Sequence, residues 1–142
     1  YPKDLQQRAR VNERMDSINT QLCRDLAYGL IYPQIFPHHK RQSDEAQKAT
    51  LAWAKERAGG WMKVLDAHLI GSGDCLCGKQ ITIADYFAAP FVALAESVGS
   101  DLAGYPNVKR WLGKMKALKS WAKVNEVING YAASLKGPFE KV

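Results

Sequence analysis

Nowhere in this chain do eighteen apolar residues run together: the longest apolar stretch is broken by Pro90, and the opening residues are polar and charged. Neither a membrane-spanning helix nor a cleavable leader is therefore expected. Cysteine is scarce. Cys23, Cys75 and Cys77 are odd in number and two of them are one residue apart, which does not resemble a disulfide framework, so reduced thiols in a cytoplasmic setting are expected. No segment reads as a β-strand, and there are no internal repeats or low-complexity tracts. No Ser/His/Asp set or carboxylate pair has a spacing that argues for catalysis. His38-His39 and Cys75-x-Cys77 have the ligand chemistry for zinc, but nothing in the sequence brings the two loops together, so no metal is expected.

What is present is helical periodicity. With 142 residues and 46% hydrophobic content, the chain is large enough for one core. Leu5, Ala9, Val11, Met15, Ile18, Leu22 and Leu26 recur every three or four positions, predicting a first helix from about Leu5 to Leu30 that Tyr32-Pro33 ends or kinks. Ser43, followed by Asp44 and Glu45, is placed to cap a second long helix with an apolar stripe of Leu51, Ala54, Ala58, Trp61, Leu65 and Leu69. Gly59-Gly60 within it predicts close packing or a bend, and Gly71-Ser72-Gly73 a stop. Tyr105-Pro106 starts a short helix to about Leu118. A last helix is expected from about Ser120 through Trp121, Val124, Val127, Ile128, Tyr131 and Leu135, with Gly137-Pro138 ending regular structure.

The segment from Ile81 to Tyr86 joins a helix start to a buried helix. Thr82 is placed as N-cap, Asp85 to reach back to its N–H, and Ile81 and Tyr86 to close a hydrophobic staple. Because the run from Ile83 to Ala95 is apolar on every face, this helix is expected at the centre of an all-α bundle, with Asp85 as a buried structural carboxylate and Pro90 forcing a kink or local widening.

Leu76-x-Gly78-x-x-Ile81-Thr82-Ile83-Ala84-Asp85 resembles the signature of the glutathione transferase C-terminal domain. Residues 8–16 and Ile31-Tyr32-Pro33-Gln34-Ile35-Phe36 are similar to the first long helix of theta- and delta-like or bacterial members, and Tyr105-Pro106-Asn107-Val108-Lys109-Arg110-Trp111 to the family's Tyr-Pro helix start. The resemblance runs from about Leu5 to Leu135. It implies an all-α bundle of five to six helices around a buried central helix, in a single domain over 1–142, with 1–4 as interdomain linker and 136–142 as tail. It also implies that a thioredoxin-like N-terminal domain, which binds glutathione and activates its thiol, is missing from this stretch.

By the same resemblance the chain supplies the wall for a hydrophobic electrophile, a role that falls on Asn19, Cys23, Tyr28, Tyr32, Ile35 and Phe36, with Trp121 and Tyr131 as more distant candidates. An acceptor pocket needs apolar walls and a few hydroxyls, and Tyr28, Tyr32 and Phe36 follow a four-residue rhythm; core or dimer packing is the alternative for each. Asp16 resembles a residue that reaches glutathione across a dimer; otherwise it is a solvated charge beside Asn12, Asn19 or Thr20. Arg8 and Arg14 face either an anionic ligand or water. His68, near Asp66, reads as a surface residue.

The formal net charge is +6, with lysines concentrated in the last third beside Trp111 and Trp121. A solvated lysine face explains this without nucleic acid, since no nucleic-acid motif accompanies it. The expected function is the electrophile-binding, homodimer-forming half of a detoxifying, cytoplasmic glutathione transferase. Glutathione would be its co-substrate rather than a cofactor, and this chain alone would hold no catalytic residue. The rival is a non-catalytic docking module of the kind found in translation-factor and aminoacyl-tRNA synthetase assemblies.

Overall fold

In the computed structural model, which describes all of residues 1–142, an Asp4 side chain accepts from the N–H of Gln7 at 2.9 Å and starts the first long helix. It runs as α1 (Leu5–Ser17), continues in a wide π register over Ile18–Ile31, and closes with α2 (Tyr32–Ile35). Pro33 therefore does not end it: the helix changes from π to α register at Tyr32 and runs on to Ile35. The preceding turn is already five-residue, with the N–H of Tyr32 donating to the carbonyl of Ala27, and the helix stops only where Phe36 becomes extended. A 3₁₀ turn, Pro37–His39, leads to α3 (Asp44–Val64), whose N-cap Ser43 accepts from the N–H of Ala46 at 3.1 Å. Helix α3 continues as a second π segment, Leu65–Ile70, until Gly71 turns the chain at φ +53°.

The two long helices cross at Gly29, not at Gly59-Gly60. A Cβ on Gly29 would stand 2.8 Å from that of Ala54, whereas one on Gly60 would meet nothing within 4 Å. The helix passes through the Gly59-Gly60 pair unbroken.

Helix α4 (Ile83–Ser97) packs Ala84, Ala88, Ala89, Val92 and Ala95 into the core, small side chains that let neighbouring helices approach. It is not covered on every face. Ile83, Tyr86 and Pro90 form an exposed strip, with Tyr86 55% exposed. Pro90 lies on that strip inside an uninterrupted α-helix, where water can take the carbonyl that its missing N–H frees.

Helix α5 (Pro106–Lys116) has no cap of its own; Asp66, from the second long helix, supplies one. Its Oδ1 accepts from the N–H groups of Asn107 and Val108 at 2.7 and 2.9 Å. Arg110, though exposed, donates to the carbonyls of Gly71 and Gly73 and ties α5 to that loop. The expected last helix divides at Asn125 into α6 (Trp121–Val124) and α7 (Glu126–Ser134), neither of which has a fully buried side chain.

The tail is docked. Glu140 exchanges backbone hydrogen bonds with the Gln34 amide and its carboxylate pairs with Lys55 at 2.7 Å, while Ser100 donates to the carbonyl of Val142. One core of buried residues draws on every long helix, from Val11 through Leu26, Met62 and Val92 to Trp111 and Met115.

Candidate functional site

At the end of the first long helix, aromatic rings gather. Tyr28 and Tyr32 meet edge to face at 4.9 Å, and Tyr32 and Phe36 at 5.2 Å. His39 packs within 6 Å of both tyrosines, and His38 stacks on Phe36. From the far end of the sequence, Tyr131 lays its ring parallel to Phe36 at 5.5 Å and donates its hydroxyl to the carbonyl of Ile35. The helix carries Tyr28 and Tyr32 on one stripe, Phe36 follows at its C-cap, and α7 and the 3₁₀ turn add the rest.

The structure thus brings together Tyr28, Tyr32 and Phe36, with Tyr131 from the more distant candidates. It separates the others. Cys23 and Ile35 are buried, so they shape the wall from behind rather than present surface. Asn19 is exposed and makes no hydrogen bond or ring contact with the cluster. Trp121 lies in a different groove, against Pro90. The three rings line neither the cavities around Arg14, Trp61 and Gln34 nor those along Pro90 and Trp121.

Burial, followed by the nearby Cys23 and Tyr28, pushes the Tyr32 hydroxyl up, and burial pushes the Cys23 thiol up. Neither is primed as a base or nucleophile at neutral pH. What remains is an apolar, hydroxyl-bearing surface suited to holding a hydrophobic group.

Asp16 is exposed and its carboxylate has no partner; Thr20 donates to the backbone carbonyl of Asp16 instead, and Asn12 accepts from Tyr1. The anticipated pairing with Asn12, Asn19 or Thr20 is therefore absent. Arg8 donates to the carbonyl of Pro2 and covers the Tyr1 ring, so it faces the first residues of the chain. Arg14 pairs with Glu13 at 3.2 Å and lines a cavity of about 210 Å³ with Ile18, Leu22 and Trp61, its Nε buried without an acceptor. His68 is exposed. No group of three or more His, Cys, Asp or Glu side chains converges in a way that could hold a metal; the two histidines go to the aromatic cluster, and Cys75 faces the Lys114 ammonium at 3.6 Å.

The Thr82 and Asp85 side chains make a structural knot. Asp85 Oδ2 accepts from the Thr82 N–H and hydroxyl at 2.8 and 3.0 Å, and its Oδ1 from the Leu76 N–H and the Trp111 indole at 2.8 and 2.9 Å. Thr82 Oγ1 in turn accepts from Ala84. Four donors on a fully buried carboxylate leave no lone pair facing a substrate.

This geometry, a capped central helix under two long crossing helices with an aromatic terminus, is matched elsewhere. Residues 24–119 fit the sequence profile described as "Glutathione S-transferase, C-terminal domain". The chain belongs to that family. It is 30% identical over 140 residues to glutathione S-transferase D7 of Anopheles gambiae, covering 98% of this chain and 59% of that one. It is 29% identical to glutathione S-transferase theta-1 of Mus musculus, covering 82% and 48%. The fold of this glutathione S-transferase C-terminal domain superposes on human glutathione-S-transferase T1-1 with TM-score 0.70 at 22% identity, over 97% of this chain and 57% of that one. A Sulfitobacter homolog solved with bound glutathione gives 0.70 at 17%, over 92% and 66%. The chain spans about half the length of the curated relatives it matches. No helix in it is long and apolar enough to cross a membrane.

One polar centre was not anticipated from sequence. Asp25, fully buried, takes a bidentate pair from Arg24 at 2.8 and 2.9 Å, the Arg57 Nε at 3.1 Å and the Trp61 indole at 2.8 Å. Burial alone pushes its carboxyl up; the hydrogen bonds from Arg24, Trp61 and Arg57 outweigh that and hold it below the usual carboxylate range. Arg57 also lies over the exposed Trp53 ring at 5.0 Å. The only sequence signal was an Arg-Asp pair inside an apolar helix.

Proposed function

We propose that this chain is the acceptor-binding half of a cytoplasmic glutathione transferase that conjugates glutathione to hydrophobic electrophiles in detoxification. The observation that carries the reading is the aromatic wall of Tyr28, Tyr32, Phe36 and Tyr131, gathered at the end of the first long helix. A hydrophobic electrophile stacks on such a surface while a glutathione thiolate, bound and activated by a separate domain, attacks its electrophilic carbon and displaces halide or adds to an alkene. Cys23 and Ile35 back the wall, and Asn19 stands beyond it.

The unpaired carboxylate of Asp16 is free to receive the glutathione ammonium of a second subunit. A homodimer through the outer face of the two long helices is supported by the exposed Trp53–Arg57 stack and by Arg24, both built on the Asp25 centre.

Kinetics on the full-length protein test the assignment, with glutathione and a chloronitrobenzene as substrates. Phe36→Ala is expected to raise the KM for the electrophile about tenfold and leave that for glutathione unchanged. Asp16→Asn should do the reverse. Equal effects of Phe36→Ala on both constants, or none, would remove the wall from the site. The docking-module reading is favoured by the basic last third alone, and full-length protein that turns over no electrophile would support it.

A further inference from the structure

Between the second long helix and α4 the chain turns tightly on itself. Cys75 and Gly78 exchange backbone hydrogen bonds at 3.0 and 3.3 Å, and Gly78 takes φ +124°. The turn leaves Cys75 only 2% exposed, with its Sγ 3.6 Å from the Nζ of Lys114 on the last turn of α5. No carboxylate competes for that nitrogen. Lys114 forms no ion pair although it is exposed, whereas Lys116, two residues on, pairs with Glu96 at 2.8 Å.

The two groups are 39 residues apart in sequence and are brought together by ties that involve neither of them. Asp66 caps α5 through Asn107 and Val108, Arg110 donates to the carbonyls of Gly71 and Gly73, and Asp85 accepts from both Leu76 and Trp111. Loop and helix therefore form one framework, and the contact of amine and thiol is set by the fold. Held proximity of this kind makes a reaction between the two effectively unimolecular.

The surroundings select the reaction. A thiol this enclosed is closed to a bulky thiol or a second protein but open to a small oxidant. Burial, then the Asp85 carboxylate, raises the Cys75 thiol and the Lys114 ammonium pulls it the other way, so the group rests as a thiol and reacts through a minor thiolate fraction. The Lys114 nitrogen is the one side-chain group in hydrogen-bond contact with its sulfur. Cys77 lies beside Thr82 instead, with Arg14 and Arg10 nearby.

We propose that Cys75 and Lys114 form a reversible covalent cross-link, a sulfenamide made when a hydroperoxide oxidises the thiol. First, the sulfur attacks the peroxide: an S–O bond forms, the O–O bond breaks, the sulfur gives up two electrons, and a sulfenic acid and an alcohol (or water) result. Then the uncharged Lys114 amine attacks the sulfenic sulfur. An S–N bond forms as the S–O bond breaks, and the departing hydroxide leaves with an amine proton as water. In sum, one thiol, one amine and one hydroperoxide give the S–NH link, one alcohol and one water. The flexible, exposed lysine stem supplies the approach that the bond needs. None of these residues belongs to the aromatic wall, so the site stands apart from any transferase activity.

The test exposes full-length protein to hydrogen peroxide, digests it and reads the peptides by mass spectrometry. A pair of peptides joined through Cys75 and Lys114 is expected, lighter by two hydrogens than the two apart. The melting temperature should rise with the link, since it constrains the unfolded chain, and dithiothreitol should reverse both changes. Lys114→Arg, an exposed change that keeps the charge, should abolish the link and leave the untreated protein as stable as the parent, while Cys77→Ser should leave the link intact. Cys75 recovered free, joined to Cys77, or carrying oxygen with Lys114 unmodified would overturn the proposal. So would an equal peroxide-induced rise in melting temperature in the Lys114→Arg variant.

Discussion

A single carboxylate shows how far local chemistry reaches. Asp85 is fully buried and accepts four hydrogen bonds, two from Thr82 three residues away and two from Leu76 and Trp111. Asp85→Asn would turn an amide NH₂ toward the Thr82 or the Trp111 donors, whichever way it faced, and is expected to cost about 2–4 kcal/mol by chemical denaturation. Trp111→Phe removes one of these donors together with part of a fully buried indole, and is expected to be destabilising by a similar amount. An Asp85→Asn variant as stable as the parent would deny the carboxylate its structural role. Asp25 makes a different prediction, because its partners hold its folded pKa below the unfolded value. Its contribution is present in full above the unfolded value of about 3.9 and is lost as pH falls through the folded one. The stability gap between the parent and Asp25→Asn should therefore be constant near neutrality and narrow in acid, read from unfolding at a series of pH values. Thr82 and Asp85 were legible in sequence because their contact spans three residues. Trp111 as the second anchor and the whole Asp25 centre were not, because Arg57 and Trp61 reach Asp25 only after two helices have packed.

Among the elements, glycine separates what periodicity reveals from what it hides. Gly59-Gly60 stands out in sequence as a weak point of a long helix, yet Gly60 is exposed with open space around its Cα. Gly29, unremarked in an apolar run, is where the two long helices meet. Opposite signs follow. Gly60→Ala should stabilise by roughly 0.5–1 kcal/mol through helix propensity. Gly29→Ala should destabilise by about 1–3 kcal/mol, since Ala54 is a core residue and its methyl cannot swing aside. Matching shifts in melting temperature for both variants would contradict the crossing. The positions of the long helices and the Ser43 and Thr82 starts were readable because caps and i, i+4 stripes are local patterns. Four features lie outside that reach. The passage through Pro33 depends on the π register before it, and the cap of α5 on Asp66 from another helix. The division at Asn125 and the docking of the tail through Gln34 and Lys55 depend on tertiary contacts.

At the scale of the molecule, a buried core joins every long helix and the aromatic wall at Phe36 packs against it. The family was legible because its motifs sit on structural necessities, a capping box, a helix start and an aromatic stripe. The composition of the wall was legible only in part, since Tyr131 reaches Phe36 from 95 positions away in sequence. An aromatic wall at one end of the bundle fits the proposed half of a site, and that proposal is the central claim. Its most direct test is the glutathione-dependent consumption of a chloronitrobenzene by the full-length protein, followed as release of chloride and formation of the thioether. The account predicts both products in equal amounts, with turnover lost when glutathione is omitted. Folded full-length protein that binds glutathione and yields neither product would contradict it.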